Sequence, residues 1–209
     1  MSKAPRPRGR ATSLAEPLGF EGQLELVRPP APGRLELVGE FLNTLDVDRG
    51  TDALATPEGL AAWLEAHELV GKSAVAPTPA DVERVRGIRE DLRALARRNN
   101  GESCECRTAG LEEASAAGRF ALTFDPDTGT SALLPTAPGL AGALGRILAA
   151  VHVAMLDGSW CRLKACADPT CAWAYYDRSK NGCSRWCGDT CLNRSKVRRY
   201  RERQAQAER

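Results

Sequence analysis

The sequence predicts an α+β chain in which a mixed helix and hairpin domain precedes a small cysteine-pinned finger that ends in a basic helix. Three observations carry this. Apolar residues recur at helical spacing in several stretches between residues 56 and 156. Residues 120–134 alternate instead, on either side of an Asp-Pro-Asp-Thr-Gly turn. Two close cysteine pairs, Cys166/Cys171 and Cys187/Cys191, stand in the last part of the chain, just ahead of the basic run 193–203.

The 209 residues suffice for one sizeable core and a small appended module. Aromatic residues make up only 5% of the chain, so their gathering at Trp160, Trp173, Tyr175, Tyr176 and Trp186 marks a second, smaller core. The net charge of +2 hides an asymmetry: residues 1–160 carry 17 basic against 22 acidic side chains, whereas 161–209 carry 12 against 5. The back of the chain therefore suits a polyanion.

In chain order, residues 1–17 are basic and rich in Pro and Gly, lack a secretory apolar core, and are expected to be a disordered tail. Residues 24–27 and 35–38 both read Leu-Glu-Leu-Val across a Pro/Gly segment, which suggests two strands. Phe41, Leu42, Asn43, Thr44, Leu45 and Asp46 lead into a loop at 47–55. Thr56-Pro57 starts a helix with Leu60, Trp63, Leu64 and His67 on one face. A capping box, Thr78 with Asp81, opens an amphipathic helix through Val82, Val85, Ile88, Leu92 and Leu95, closed by Asn99-Asn100-Gly101.

A loop with Cys104 and Cys106 precedes a short helix from Thr108 to about Ala117. The 120–134 hairpin follows. Leu140, Leu144, Ile147, Leu148, Val151 and Met155 then form one face of a helix that serves as the spine of the front domain. Arg146 and His152 inside that stretch argue against a membrane span. His67 and His152 are both expected to be structural, and Asp46, Asp48, Glu65 and Glu68 to be solvated charges. Asp157-Gly158-Ser159 is the expected boundary, giving a front domain of 18–158 and a finger of 159–209.

In the finger, 160–164 and 172–177 read as strands, with turn-forming Ala167, Asp168, Pro169 and Thr170 between the first cysteine pair. Cys187 and Cys191 stand four apart, at a helix start. Four thiols in two close pairs are what a tetrahedral Zn²⁺ requires, and eight cysteines in a chain expected in the reducing cytoplasm point to metal rather than to disulfides. The ligand set expected is Cys166, Cys171, Cys187 and Cys191 around one structural zinc, in a treble-clef-like arrangement. Cys161, about 16 Å from Cys166 along an extended segment, is too far to share the metal. Cys183 is near enough in sequence to stand in for Cys187.

Beyond Cys191, Val197 and Tyr200 lie on a narrow apolar stripe flanked by Arg194, Arg198 and Arg201 on one side and Lys196, Arg199 and Arg203 on the other. A helix pinned along that stripe presents six cations to two phosphate rows of double-stranded DNA. Trp173, Tyr175 and Tyr176 are expected to pack the finger's core, the alternative being that they stack on single-stranded RNA or a protein partner. With two histidines on separate helices and a four-cysteine site that leaves no open coordination position, the chain is expected not to be an enzyme.

The residues Arg162-Leu163-Lys164-Ala165-Cys166, Asp168-Pro169, Tyr176-Asp177-Arg178-Ser179, Arg185-Trp186-Cys187 and Cys191-Leu192-Asn193-Arg194-Ser195-Lys196 resemble the CGNR zinc finger. Phe41-Leu42-Asn43-Thr44-Leu45-Asp46 resembles the opening motif of the ABATE domain, which in that family precedes the finger. The resemblance implies a bacterial transcription regulator that binds zinc and DNA, with a small-molecule or protein effector at the front domain; a second copy of the chain is a further expected partner. Two positions depart from the family pattern. Leu192 stands where the signature has glycine, so a left-handed knuckle there would strain it, and the last cysteine pair is one residue closer than usual.

Overall fold

The computed structural model describes residues 29–71, 75–103 and 106–207. The tail, the first Leu-Glu-Leu-Val copy at 24–27 and Cys104 lie outside the described residues. The second copy is not a strand: 35–38 open helix α1, Leu35–Leu42. Four alternating residues fit a period of 2, but Leu35, Val38, Phe41 and Leu42, all buried, keep to helical spacing, and the longer pattern decides. Asn43 ends α1, and a small antiparallel pair follows, β1 (Leu45–Asp46) at the end of the apolar lead-in with β2 (Thr51–Asp52) inside the expected loop at 47–55.

The next elements stand as their local signals predict. Helix α2, Pro57–Ala66, begins where the Thr56 hydroxyl accepts the Gly59 N–H at 3.1 Å. Helix α3, Pro79–Arg98, carries the full capping box: Thr78 Oγ1 accepts from Asp81 N–H at 3.2 Å, and Asp81 Oδ2 accepts from Thr78 N–H at 2.9 Å. His67 is structural, its Nδ1 2.8 Å from the Trp63 carbonyl and its ring stacked on that indole.

Helix α4, Ala109–Gly118, leads into the hairpin of β3 (Phe120–Asp125) and β4 (Thr130–Pro135). Helix α5, Gly139–Leu156, crosses α4 where Gly118 meets Gly145: a Cβ on Gly118 would sit 3.3 Å from the Gly145 Cα. Gly118 is thus held in the helix by close packing, and the left-handed residue that ends α4 is Arg119, at φ +50°.

Helix α5 is the spine expected, buried along Ala143, Leu144, Ile147, Ala150, Val151 and Ala154. Its last turn runs past the core, so Met155 is 46% exposed rather than part of the face, and His152 is exposed rather than packed. Among the described residues α5 alone has the length and hydropathy of a membrane span, and half of it is buried inside the molecule.

After α5, Asp157 caps Ser159 N–H at 2.8 Å, and Gly158 turns the chain at φ +78° into a 3-10 turn over Ser159–Arg162. The strand expected from 160 therefore starts late, as β5 (Leu163–Ala165), paired antiparallel with β6 (Ala174–Tyr176). Helix α6, Asp189–Ala207, follows the finger's loops.

The front and the finger share one core. Trp160, Leu163, Ala165 and Ala174 belong to the same buried cluster as Val38, Leu92 and Ile147. Polar side chains of the front satisfy the finger's backbone. Asn43 Nδ2 donates to the Ala174 carbonyl at 2.9 Å while its Oδ1 accepts the Ala174 N–H at 2.7 Å, so the amide acts as one more residue of a β ladder. Buried Arg93 donates to the Ala172 carbonyl at 2.7 Å and the Leu42 carbonyl at 2.6 Å. Asn99 reaches the Trp160 and Leu163 carbonyls, and Asn100 those of Ala165 and Arg185.

Asn43→Ala would leave both polar groups of Ala174 without a partner, and each such group costs about 1 to 3 kcal/mol. A loss of about 3 kcal/mol is expected, read as a lower urea midpoint with unchanged zinc content. A midpoint shift within error would show that water replaces the amide.

Candidate functional site

Four cysteines converge from four local structures. Cys166 follows β5, Cys171 ends the tight turn made by Asp168, Pro169 and Thr170, Cys187 precedes α6, and Cys191 lies in the first turn of α6. Their sulfurs all lie within 4.8 Å of one another, with Cys171 to Cys187 at 3.6 Å and Cys187 to Cys191 at 3.7 Å. Four sulfurs held at Zn–S bonds of ~2.3 Å in a tetrahedron stand about 3.8 Å apart, so the cluster already has the size of a four-thiolate zinc site. Cys161 and Cys183 are exposed and outside it; the Cys161 thiol is 3.1 Å from the Gly158 carbonyl.

The electrostatics point the same way. Hydrogen bonds from the Cys171 and Cys187 thiols draw the Cys166 thiol far below its ordinary pKa. Those bonds, and then the Cys166 thiolate itself, push Cys171 and Cys187 up, while burial raises Cys191. Packed this closely, the four thiols resist ionising together without a counter-charge. A dication at its centre would let all four sulfurs ionise, and that is the ligand this donor set fits.

Backbone N–H groups orient the first pair. Cys166 Sγ accepts from Cys187 N–H at 3.5 Å. Ala172 takes a left-handed φ of +54° directly after Cys171, and the buried Arg93 holds its carbonyl. Tyr175 packs against the cluster and donates its hydroxyl to the Ser184 carbonyl at 2.7 Å. Tyr176 is half-buried under Arg178, whereas Trp173 is 36% exposed rather than packed in the finger's core. Leu192 is helical: its N–H donates to the Gly188 carbonyl at 3.2 Å, and it is not among the residues of positive φ. Leu192 therefore carries none of the strain that a left-handed knuckle would have imposed on it.

Helix α6 is not pinned along Val197 and Tyr200, which are 49% and 56% exposed. Its buried residues are Cys191 and Ser195, so the zinc site anchors the first turns. The stretch from Tyr200 to Ala207, about 11 Å at 1.5 Å per residue, is exposed throughout and projects from the body.

The six cations separate accordingly. Arg194 forms a bidentate pair with Asp48, both contacts at 2.8 Å. Arg198 lies 3.4 Å from the wholly buried Asp168 carboxylate, and Arg199 sits over the Trp186 ring at 5.7 Å. Lys196, Arg201 and Arg203 are exposed, with no ion pair among the described residues.

Sequence reasoning missed three acidic residues around this site. Asp168 receives the Thr170 N–H at 3.2 Å and its hydroxyl at 3.0 Å, shaping the metal loop while facing Arg194 and Arg198. Asp177 pairs with buried Lys164 at 2.9 Å. Asp48 is a partner of the basic helix rather than a solvated charge. The Asp-Pro turn signal marked the position of Asp168, but nothing in the sequence paired it with α6.

Comparison with known families agrees with this geometry. The CGNR zinc finger model matches residues 162–204, spanning all four cysteines and most of α6. The ABATE model, described as "Putative stress-induced transcription regulator", matches residues 35–159, more than half of the chain. No curated protein matches the chain. The chain belongs to the ABATE family, with a CGNR zinc finger directly behind its ABATE domain.

Proposed function

We propose that the chain is a cytoplasmic transcription regulator that holds double-stranded DNA with α6, its front domain responding to an effector, and that it has no catalytic role. The observation that supports this reading is the projecting half of α6. A helix fixed at its first turns by a metal site, exposed beyond Arg199 and bearing Lys196, Arg201 and Arg203 has the width and charge to enter a major groove about 12 Å across. Exposed Val197 and Tyr200 on the same helix offer apolar contacts to base edges.

Replacing Lys196, Arg201 and Arg203 together by alanine is expected to abolish retention on duplex DNA at moderate salt. The slope of log affinity against log salt should become shallower by roughly 0.9 per lost phosphate contact, with zinc content unchanged. Undiminished binding with an unchanged slope would refute the assignment of α6.

The exposed Trp173 favours a second reading, a zinc-stabilised module for RNA or a protein partner. Competition between duplex DNA and single-stranded RNA separates the two. Preference for the single strand, lost in Trp173→Ala, would replace the first reading by the second.

A further inference from the structure

Arg194 stands at the root of the projecting helix, where a phosphate contact would fix the helix against the duplex. Its guanidinium is already taken. Nη1 and Nη2 each donate to a different oxygen of Asp48 at 2.8 Å, in the planar fork geometry with which arginine also binds a phosphate. Nη1 also lies 3.2 Å from the Thr170 hydroxyl. The Arg194 hydrogen bonds hold the Asp48 carboxyl below its ordinary pKa, and the same pair raises that of Arg194, so both charges are fully formed.

Asp48 belongs to the front domain, in the turn between β1 and β2. That turn is built from within. Asp46 Oδ1 accepts the Arg49 N–H at 3.0 Å, and Gly50 supplies a left-handed φ of +67°. Asp52, just beyond the turn, is clamped by buried Arg89 of α3 at 2.6 and 2.9 Å, and Arg89 also donates to the Thr44 hydroxyl at 2.9 Å. The strand that follows Asp48 is thus anchored in the interior of the front domain, through an Arg89 side chain that is 1% exposed.

The geometry points to an acidic latch: Asp48 of the ABATE domain competes with DNA phosphate for Arg194, so that the front domain sets the affinity of the basic helix. This inference rests on the DNA-binding reading above and names its regulation. A carboxylate and a phosphate ester cannot both occupy the Nη1–Nη2 edge of one guanidinium, so a phosphate bound at that edge of Arg194 requires the Asp48 carboxylate to move aside. An effector that favours a displaced turn would raise DNA affinity by its own preference for that state, and by no more. Arg194 is not lost when released, since Thr170 and the buried Asp168 carboxylate, 3.8 Å away, keep it in place.

The test uses the full chain loaded with zinc and a fluorescent duplex of mixed sequence, followed by anisotropy at low salt. Asp48→Asn is expected to tighten binding about fivefold, what an exposed ion pair at the upper end of its usual worth amounts to. Arg194→Ala should weaken binding, and adding Asp48→Asn to Arg194→Ala should bring no gain. Zinc content should stay at the wild-type value and the melting midpoint should fall by only roughly 2–4 °C, the share of stability that the half-exposed pair contributes. Wild-type binding that Asp48→Asn leaves unaltered would overturn the latch alone. So would an equal gain with and without Arg194, which would make Asp48 a general charge rather than a competitor. If neither the wild type nor Asp48→Asn binds duplex DNA, the DNA-binding reading falls and the latch falls with it.

Discussion

Replacing Cys191 by serine is expected to remove the zinc and unfold residues 163–207, the largest effect of any single change in the chain. Structural zinc in finger peptides has an apparent binding free energy of about 10–16 kcal/mol at neutral pH, as much as the ~5–15 kcal/mol that stabilises a whole domain. Apart from Leu163, Ala165 and Ala174, which pack in the front domain's core, the finger has little else. Its own core is Cys166, Cys171, Tyr175 and Cys191, with Trp186 and Cys187 packed against them, and six residues built mostly of ligands cannot hold together without the ion.

The loss should also reach the front domain. Asn43, Arg93, Asn99 and Asn100 spend their hydrogen bonds on the finger's backbone and would be left partly buried without acceptors. Metal analysis, thiol titration and thermal melting of Cys191→Ser measure this. Expected are no bound zinc, newly reactive thiols and a lower, broader transition for the whole chain, the same outcome as exhaustive chelation of the wild type. Cys161→Ser and Cys183→Ser should keep one zinc per chain, because both thiols lie outside the cluster. A Cys191→Ser protein that retained zinc and its melting midpoint would mean that the sulfurs converge for some other reason.

How much of this was legible in the sequence follows from the range of each interaction. The Thr56 and Thr78 caps, the 120–134 hairpin and the α5 spine rest on contacts within a few residues, and all were readable. The zinc ligands were readable because metal chemistry restricts both residue type and spacing. The Leu-Glu-Leu-Val at 35–38 misled because four residues cannot separate a period of 2 from one of 3.6.

What stayed hidden was long-range pairing. Asn43, Arg89, Arg93 and Asp48 are ordinary polar residues until the fold supplies the partners, which for Asn43 and Asp48 stand 131 and 146 residues away. The seat of α6 was hidden in the same way. Its apolar pair reads as a packing edge, but the zinc site anchors the helix at its other end and leaves Val197 and Tyr200 in solvent.

Asp177→Ala is expected to cost about 3–5 kcal/mol, the usual loss when one partner of a buried ion pair is removed and the other is left uncompensated. Lys164 is 3% exposed in the middle of β5, its ammonium held by Asp177 at 2.9 Å, the Gly182 carbonyl at 2.5 Å and the Ser184 carbonyl at 3.2 Å. Asp177 is wholly buried and also accepts the N–H groups of Ser179 at 3.0 Å and Ser184 at 2.9 Å. One carboxylate therefore neutralises the strand and shapes the loop that carries the chain to Cys187.

Burial opposes the charge on Asp177, but the Lys164 ammonium and the Ser179 bonds outweigh it and hold the carboxyl at about 2. A depressed folded-state pKa adds stability that is fully present above the unfolded value of about 4 and is lost as pH falls from there toward 2. Urea unfolding at neutral pH should show the full deficit of Asp177→Ala, and the deficit should shrink as the wild type is acidified through that window. Lys164→Met combined with Asp177→Leu should recover only part of the loss, because removing both charges ends the stranding but not the need of Gly182, Ser179 and Ser184 for partners. Full recovery in the double variant would reduce Asp177 to a counter-ion, and a deficit below about 1 kcal/mol in the single variant would mean that water reaches the Lys164 ammonium.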